Sequence, residues 1–195
     1  MLADNSAYLE IILGPMFSGK TTRLLEIYKK ASFCNKRIMV INYSHDKRYS
    51  DTQLSTHDLK MIPCTQTLNL NDLYNIHTNV DNAEVLKQDV ILINEGQFFD
   101  DLLEWVSFLV NTHSIHIYVC GLDSDFKKNK FGQIIDLIPL ADNIVKLTAW
   151  CVSCKNGTPA IYSHRISSEK EQCIIGSSNY IPVCRNCYNS LNKCK

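Results

Sequence analysis

Residues 14–21 read Gly-Pro-Met-Phe-Ser-Gly-Lys-Thr. They stand between an apolar run, Tyr8 to Leu13, and a run with helical spacing, Lys20 to Phe33. A strand that turns through glycines straight into a helix leaves few folds open. The glycines permit a tight turn with successive N–H groups pointing inward, and the helix start adds unpaired N–H groups of its own. Such a loop cradles phosphate: in this G-x-x-x-x-G-K-[ST] pattern Lys20 reaches the β- and γ-phosphates of a nucleotide and the Thr21 hydroxyl ligates Mg²⁺. Gly14, Pro15, Met16, Phe17, Ser18, Gly19, Lys20 and Thr21 are therefore the candidate ATP-binding residues.

Further strand signals follow at Arg37–Tyr43, Val90–Ile93 and Ile115–Cys120, and Ile144–Leu147 begins a last core strand. These runs are apolar without alternation, as in parallel strands covered on both faces. Helical spacing recurs over Asp100–Asn111, with Leu102, Leu103, Val106 and Val110 directed inward, and over a short Asn71–His77 segment capped by Asn69 or Asn71. Ser44–Asp58 is polar and aperiodic, a long loop. The expected fold is α/β, a P-loop parallel sheet with helices on both faces. Ligands bind at the carboxyl ends of such strands, which gathers the first loop, 42–49, 94–97 and 121–126 around one crevice. After Ala149 the composition changes. Residues 1–149 read as a nucleotide-binding α/β domain, and 150–195 as a small metal-stabilised one.

Lys plus Arg and Asp plus Glu both number 20, so the formal net charge is zero. That argues against a nucleic-acid binder, which needs a basic face. No apolar run has the length of a membrane span, and the N-terminus lacks signal-peptide regions, so a reducing, cytoplasmic setting is expected. Nine cysteines, an odd number, do not make a simple disulfide framework. Two pairs, Cys151-x-x-Cys154 and Cys184-x-x-Cys187, suit a closed tetrahedral Zn²⁺ site with a structural role, a redox C-x-x-C being the alternative. Cys34 and Cys120 read as small buried apolar side chains, and Trp105 and Trp150 as packing residues.

Where the aliphatic strand Val90–Ile93 ends, Asn94-Glu95-Gly96-Gln97 follows. Glu95 is the acid at that tip, placed to accept a proton from an attacking alcohol; a solvated turn glutamate is the plainer alternative. Asp46 and Arg48, after the second strand, are candidates for metal or phosphate contact, or simple surface charges. Phe98, Phe99, Phe126, Phe131, Tyr162 and Tyr180 include candidates for a base-stacking pocket. Lys127, Lys128 and Lys130 read as a solvated basic turn.

Ile-Leu-Gly-Pro-Met-Phe-Ser-Gly-Lys-Thr, Asn-Glu-Gly-Gln-Phe-Phe, Lys-Leu-Thr-Ala-x-Cys-x-x-Cys and Val-Cys-Arg-x-Cys-Tyr, in that order from about Tyr8 to Tyr188, resemble the cellular and poxviral type II thymidine kinases. The resemblance implies ATP-dependent phosphorylation of the thymidine 5′-hydroxyl, a zinc-held lasso domain and a homotetramer. It implies that Glu95 is the general base, that Lys20 and Arg48 assist transfer, and that Asp46 and Arg48 match an Asp-x-Arg motif. It places Met16, Phe98, Leu122, Phe126 and Phe131 along the thymine pocket, and Arg165, Gln172, Gly176 and Tyr180 on the lasso. Cys151, Cys154, Cys184 and Cys187 match its zinc ligands. Two departures stand out. The family's Asp-Glu-Gly-Gln has Asn94 in first place, so the magnesium set becomes Thr21, Asp46 and Asn94, with Asp46 supplying the charge. The segment Lys155–Ala160 is also longer than the family's. A thymidine-binding sensor without turnover, and a P-loop ATPase whose zinc knuckle contacts DNA, are the competing classes.

Overall fold

The computed structural model describes residues 6–44, 53–55, 61–78, 83–169, 171–172 and 179–193. In chain order its elements are β1 (Tyr8–Leu13), α1 (Lys20–Phe33), β2 (Ile38–Tyr43), β3 (Gln53–Ser55), β4 (Met61–Pro63), β5 (Thr65–Thr67) and β6 (Val90–Ile93), followed by α2 (Leu102–Thr112), β7 (His116–Gly121) and β8 (Asn143–Lys146). Then come β9 (Ala149–Trp150), β10 (Pro159–Ala160), β11 (Tyr162–Arg165), β12 (Tyr180–Val183) and α3 (Arg185–Lys193).

Six strands form one sheet in the order β5-β2-β6-β7-β1-β8, every pair parallel. Alternation is present but hidden, because both faces are apolar. Leu9, Ile11 and Leu13 of β1, with Ile91 and Ile93 of β6, join a core under α2; Ile12 and Leu92 join the other, under α1. The connections β5→β6, β6→β7 and β7→β8 run one way along the sheet. They lay Leu70, Tyr74, Val85, α2 and Ile134 on the first face. β1→β2 and β2→β5 run the other way and lay α1, Leu54 and Ile62 on the second. This segregation is what crossovers of a single hand require.

Several local expectations change. The α2 stripe is Leu102, Trp105, Val106 and Leu109, while Leu103 and Val110 flank it, half-buried. Trp105 sets this rotation: it is fully buried and its indole N–H donates to the Tyr74 carbonyl at 3.0 Å. The helix expected over Asn71–His77 is a single 3-10 turn, Leu70–Asp72, and Asn69 makes no side-chain cap. There Asn71 accepts from the Ile76 N–H through its own side-chain oxygen at 3.3 Å, the local competition that ends a helix. The aperiodic Ser44–Asp58 stretch contains β3, paired antiparallel with β4. β8 is an edge strand rather than a core one, with Ile144 exposed. Trp150 and Cys34 are also exposed, whereas Cys120 is buried as expected.

Beyond β8 a third, small cluster gathers Ala149, Cys151, Ala160, Val183, Cys184 and Tyr188. Two two-stranded ribbons, β9–β10 and β11–β12, and helix α3 surround it.

Candidate active site

The first loop leaves β1 and enters α1 with its backbone held by glycine. Gly14 sits at φ +156, where a Cβ would lie 2.6 Å from Ser18 Oγ and 2.8 Å from the Leu147 carbonyl oxygen. Gly19, at φ +83, is left-handed and supplies the α1 N-cap without a side-chain cap. The first turn of α1 carries no acidic residue, so its positive dipole end is not neutralised from within. Lys20 Nζ donates to the carbonyls of Pro15 at 2.8 Å and Gly14 at 3.1 Å, which lays it along the loop. Ser18 Oγ is buried with no hydrogen-bond partner. An orphaned hydroxyl beside an ammonium at the start of a helix fits a phosphate oxygen. The Met16 N–H donates to Ser163 Oγ at 2.9 Å, tying this loop to β11.

At the tip of β6, Asn94 is 2 % exposed. Its Nδ2 donates to Asn42 Oδ1 at 2.8 Å and its Oδ1 accepts from the Cys120 thiol at 3.1 Å. Burial pushes that thiol up to about 12, so it stays a neutral donor. The corner joining β2, β6 and β7 is therefore a neutral network. Glu95 follows in a left-handed conformation, φ 55 and ψ 42, a backbone state that costs a non-glycine residue about 1–3 kcal/mol and clusters at functional sites. Its Oε2 accepts from Gln97 Nε2 at 2.7 Å.

The aromatic candidates divide. Phe98 and Phe131 meet edge-to-face with centroids 5.5 Å apart, and Phe126 carries the Arg165 guanidinium 3.7 Å from its ring centre. Phe99 is fully buried core, and Tyr162 packs at a tilt against Tyr188 in the cysteine-bearing unit, ring centroids 4.9 Å apart. Leu122 is held by its N–H, which donates to Gln97 Oε1 at 2.9 Å.

Arg165 is 1 % exposed. It donates through Nη1 to the carbonyls of Glu169 and Glu171, and through Nη2 to the Gln172 carbonyl and the Tyr180 hydroxyl. Gln172 Nε2 in turn donates to Asp125 Oδ2 at 3.1 Å. Asp125 organises its own loop by accepting from the N–H groups of Lys127 and Asn129, each at 2.8 Å. The lysines of that loop are engaged rather than merely solvated. Lys128 lies 4.5 Å over the Tyr188 ring, Lys127 lies 5.2 Å over Phe126, and Lys130 reaches Asp136 at 2.5 Å. Asp46, Arg48 and Gly176 lie outside the described residues.

The sulfurs of Cys151, Cys154, Cys184 and Cys187 all lie within 4.8 Å of one another, and no other group of three or more His, Cys, Asp or Glu among the described residues could hold a metal ion. A tetrahedral site with Zn–S of about 2.3 Å has S–S edges of about 3.8 Å. Here Cys154 is 3.8 Å from Cys184 and 3.4 Å from Cys187. Burial opposes charge on Cys151, but the N–H groups of Cys184, Cys154 and Ser153 outweigh it and bring the thiol down to about 6. Hydrogen bonds with the Cys154 and Cys184 thiols push Cys187 up to about 12. Four thiols so close cannot all ionise unless a cation lies among them. The donor set fits zinc.

A family model for thymidine kinase matches residues 7–188. The chain belongs to the thymidine kinase family. The thymidine kinase of Yaba monkey tumor virus is 42 % identical over 190 residues, 97 % of this chain and 98 % of that protein. Within the same family the cytosolic thymidine kinases of Gallus gallus and Homo sapiens are 37 % and 38 % identical, each over 92 % of this chain and 76 % and 72 % of their own lengths. The family assignment agrees with the parallel P-loop sheet and with the four-cysteine cluster. Gln97 and Tyr188 were not among the candidate site residues, although both belong to motif segments. Only the fold shows that Gln97 reaches Glu95 and Leu122, and that the Tyr188 hydroxyl donates to the Phe126 carbonyl at 2.6 Å.

Proposed function

We propose that this chain transfers the γ-phosphate of ATP to the 5′-hydroxyl of thymidine, with deoxyuridine as a second acceptor, and so feeds dTTP supply for DNA synthesis. One juxtaposition carries the reading. In a chain of the thymidine kinase family, a P-loop lysine and a left-handed glutamate stand at the carboxyl ends of β1 and β6, strands of one parallel sheet joined through β7. Residues 14–21 hold the triphosphate, and Lys20 with Arg48 neutralises charge on the transferring group. Glu95 takes the proton from the 5′-hydroxyl. Mg²⁺ supplies Lewis-acid charge on the phosphates; Thr21 and Asp46 would hold it, with Asn94 acting through a water, since its amide oxygen keeps a second lone pair. Met16, Phe98, Leu122, Phe126 and Phe131 line the thymine side, with Gly176 and Tyr180 on the covering lasso. Cys151, Cys154, Cys184 and Cys187 would hold a structural Zn²⁺, in a unit spanning 150–195. Incubation of the purified chain with radiolabelled thymidine, ATP and Mg²⁺ tests this: labelled thymidine monophosphate is expected. Tight thymidine binding without product would make the chain a sensor instead.

Arg165 and Gln172 act in this reading as holders of the lasso rather than through their own tips. Their donors engage lasso carbonyls and Asp125. Arg165→Lys keeps the charge but loses the planar fork. Losing one charge-assisted bond of about 1.5 kcal/mol corresponds to about tenfold in affinity. The thymidine KM is therefore expected to rise about tenfold while the ATP KM holds; initial rates over both substrates check it. The same reading places the enzyme in the cytoplasm as a homotetramer, without nucleic-acid or membrane partners. No helix among the described residues is long and apolar enough to cross a membrane, and light scattering should return four times the chain's 22.3 kDa.

A further inference from the structure

We propose that Gln97 is a positioning residue of the transfer, a side chain that holds the Glu95 carboxylate against the Leu122 wall of the acceptor pocket. The inference rests on Glu95 being the base. A glutamate side chain has three rotatable bonds, and a base must be held to a fraction of an ångström to meet its proton. Gln97 supplies that restraint. It is 3 % exposed. Its Nε2 donates to Glu95 Oε2 at 2.7 Å, and its Oε1 accepts the Leu122 N–H at 2.9 Å. One planar amide thus bridges the tips of β6 and β7, so the base and the pocket wall cannot shift independently.

Gln97 is packed closely by residues distant in sequence, its side-chain amide by Gly121 and its backbone by Gly132. A Cβ on Gly121 would lie 2.3 Å from Gln97 Oε1, and a Cβ on Gly132, which is left-handed at φ +60, would lie 2.0 Å from the Gln97 carbonyl oxygen. A side chain at either glycine would collide with Gln97 where it now lies between the strand ends. Its backbone is fixed as well, by the turn Gly96–Phe98, closed by the Phe98 N–H donating to the Glu95 carbonyl at 3.0 Å. The same turn imposes the left-handed backbone of Glu95.

A double-mutant cycle on the full chain separates the roles. Gln97→Met keeps the length and removes both bonds. Gln97→Glu keeps an acceptor for the Leu122 N–H but loses the amide donor, which guards against a fold that fails in the first variant. Both are expected to lower kcat about 10–100-fold, since misplacement of about 1 Å costs on that order; in Gln97→Glu, which keeps the Leu122 bond, KM for thymidine and ATP should stay within about twofold. In a Glu95→Gln background the Gln97→Met loss should vanish, because no base remains to position. A normal kcat in Gln97→Glu with unchanged melting would overturn the role. So would a Gln97→Met loss that persists in full beside a deep Glu95→Gln loss, and that result leaves the base intact. Near-normal turnover of Glu95→Gln alone would instead remove the base itself, and this proposal with it.

Discussion

Glu95→Gln is expected to lower kcat for thymidine by about 10²–10⁴-fold, the range for loss of a general base, while the equilibrium affinity for ATP stays within about twofold. The substitution keeps the shape and one acceptor oxygen, so the Gln97 contact at 2.7 Å and the left-handed turn can persist. What disappears is the basic oxygen. The proposed ATP contacts belong to a different strand end, at Gly14–Thr21, so binding and chemistry should separate cleanly. Single-turnover rates together with ATP titration make the measurement. Turnover near the wild-type value would show that the proton leaves by another route, and Glu95 would then be a strained turn residue with no part in transfer.

Removing zinc is expected to have the second large effect. The C-terminal unit has a core of six buried residues, Ala149, Cys151, Ala160, Val183, Cys184 and Tyr188, and units this small seldom fold without a metal or disulfide. Structural zinc contributes about 10–16 kcal/mol of apparent binding energy in small zinc domains, far more than so few apolar side chains supply. Cys184→Ser, or a strong chelator, should therefore unfold the ribbons β9–β10 and β11–β12. The consequence reaches the pocket by named bonds: Tyr188 holds the Phe126 carbonyl at 2.6 Å, Phe126 carries Arg165, and Ser163 of β11 holds the Met16 N–H at 2.9 Å. Zinc-free protein should show rapid proteolysis beyond Ala149, a raised thymidine KM and a protected α/β core. Metal analysis should return one zinc per folded chain. Unchanged proteolysis and melting without metal would overturn the structural role.

Much of the framework is legible in the chain because its signals are short-range. β1, the P-loop and α1 are contiguous, and their apolar spacing and glycines act within a few residues. The two C-x-x-C pairs announce four thiolates wherever the ribbons run. Other features resist reading for definable reasons. The apolar start of the Ile144–Leu147 run reads as a core strand, yet β8 is an edge strand, because strand order depends on crossover length and hand as well as on composition. The face of α2 turns on Trp105, whose partner Tyr74 is 31 residues away. Asn94 reads as a lost charge; in the fold it is the centre of a neutral corner with Asn42 and Cys120, which lie 52 and 26 residues from it.

Glycine spacing, strand-like and helix-like periodicity and cysteine pairing were enough to specify a phosphate loop, a parallel sheet and a four-thiol cluster. Each is a pattern whose physical cause acts locally along the chain. The packing of Gln97 by Gly121 and Gly132, the fastening of the Glu169, Glu171 and Gln172 carbonyls by Arg165 and the link from Tyr188 to Phe126 were decided only by the packed fold. They join side chains to groups far along the chain, and no local preference encodes a distance across space.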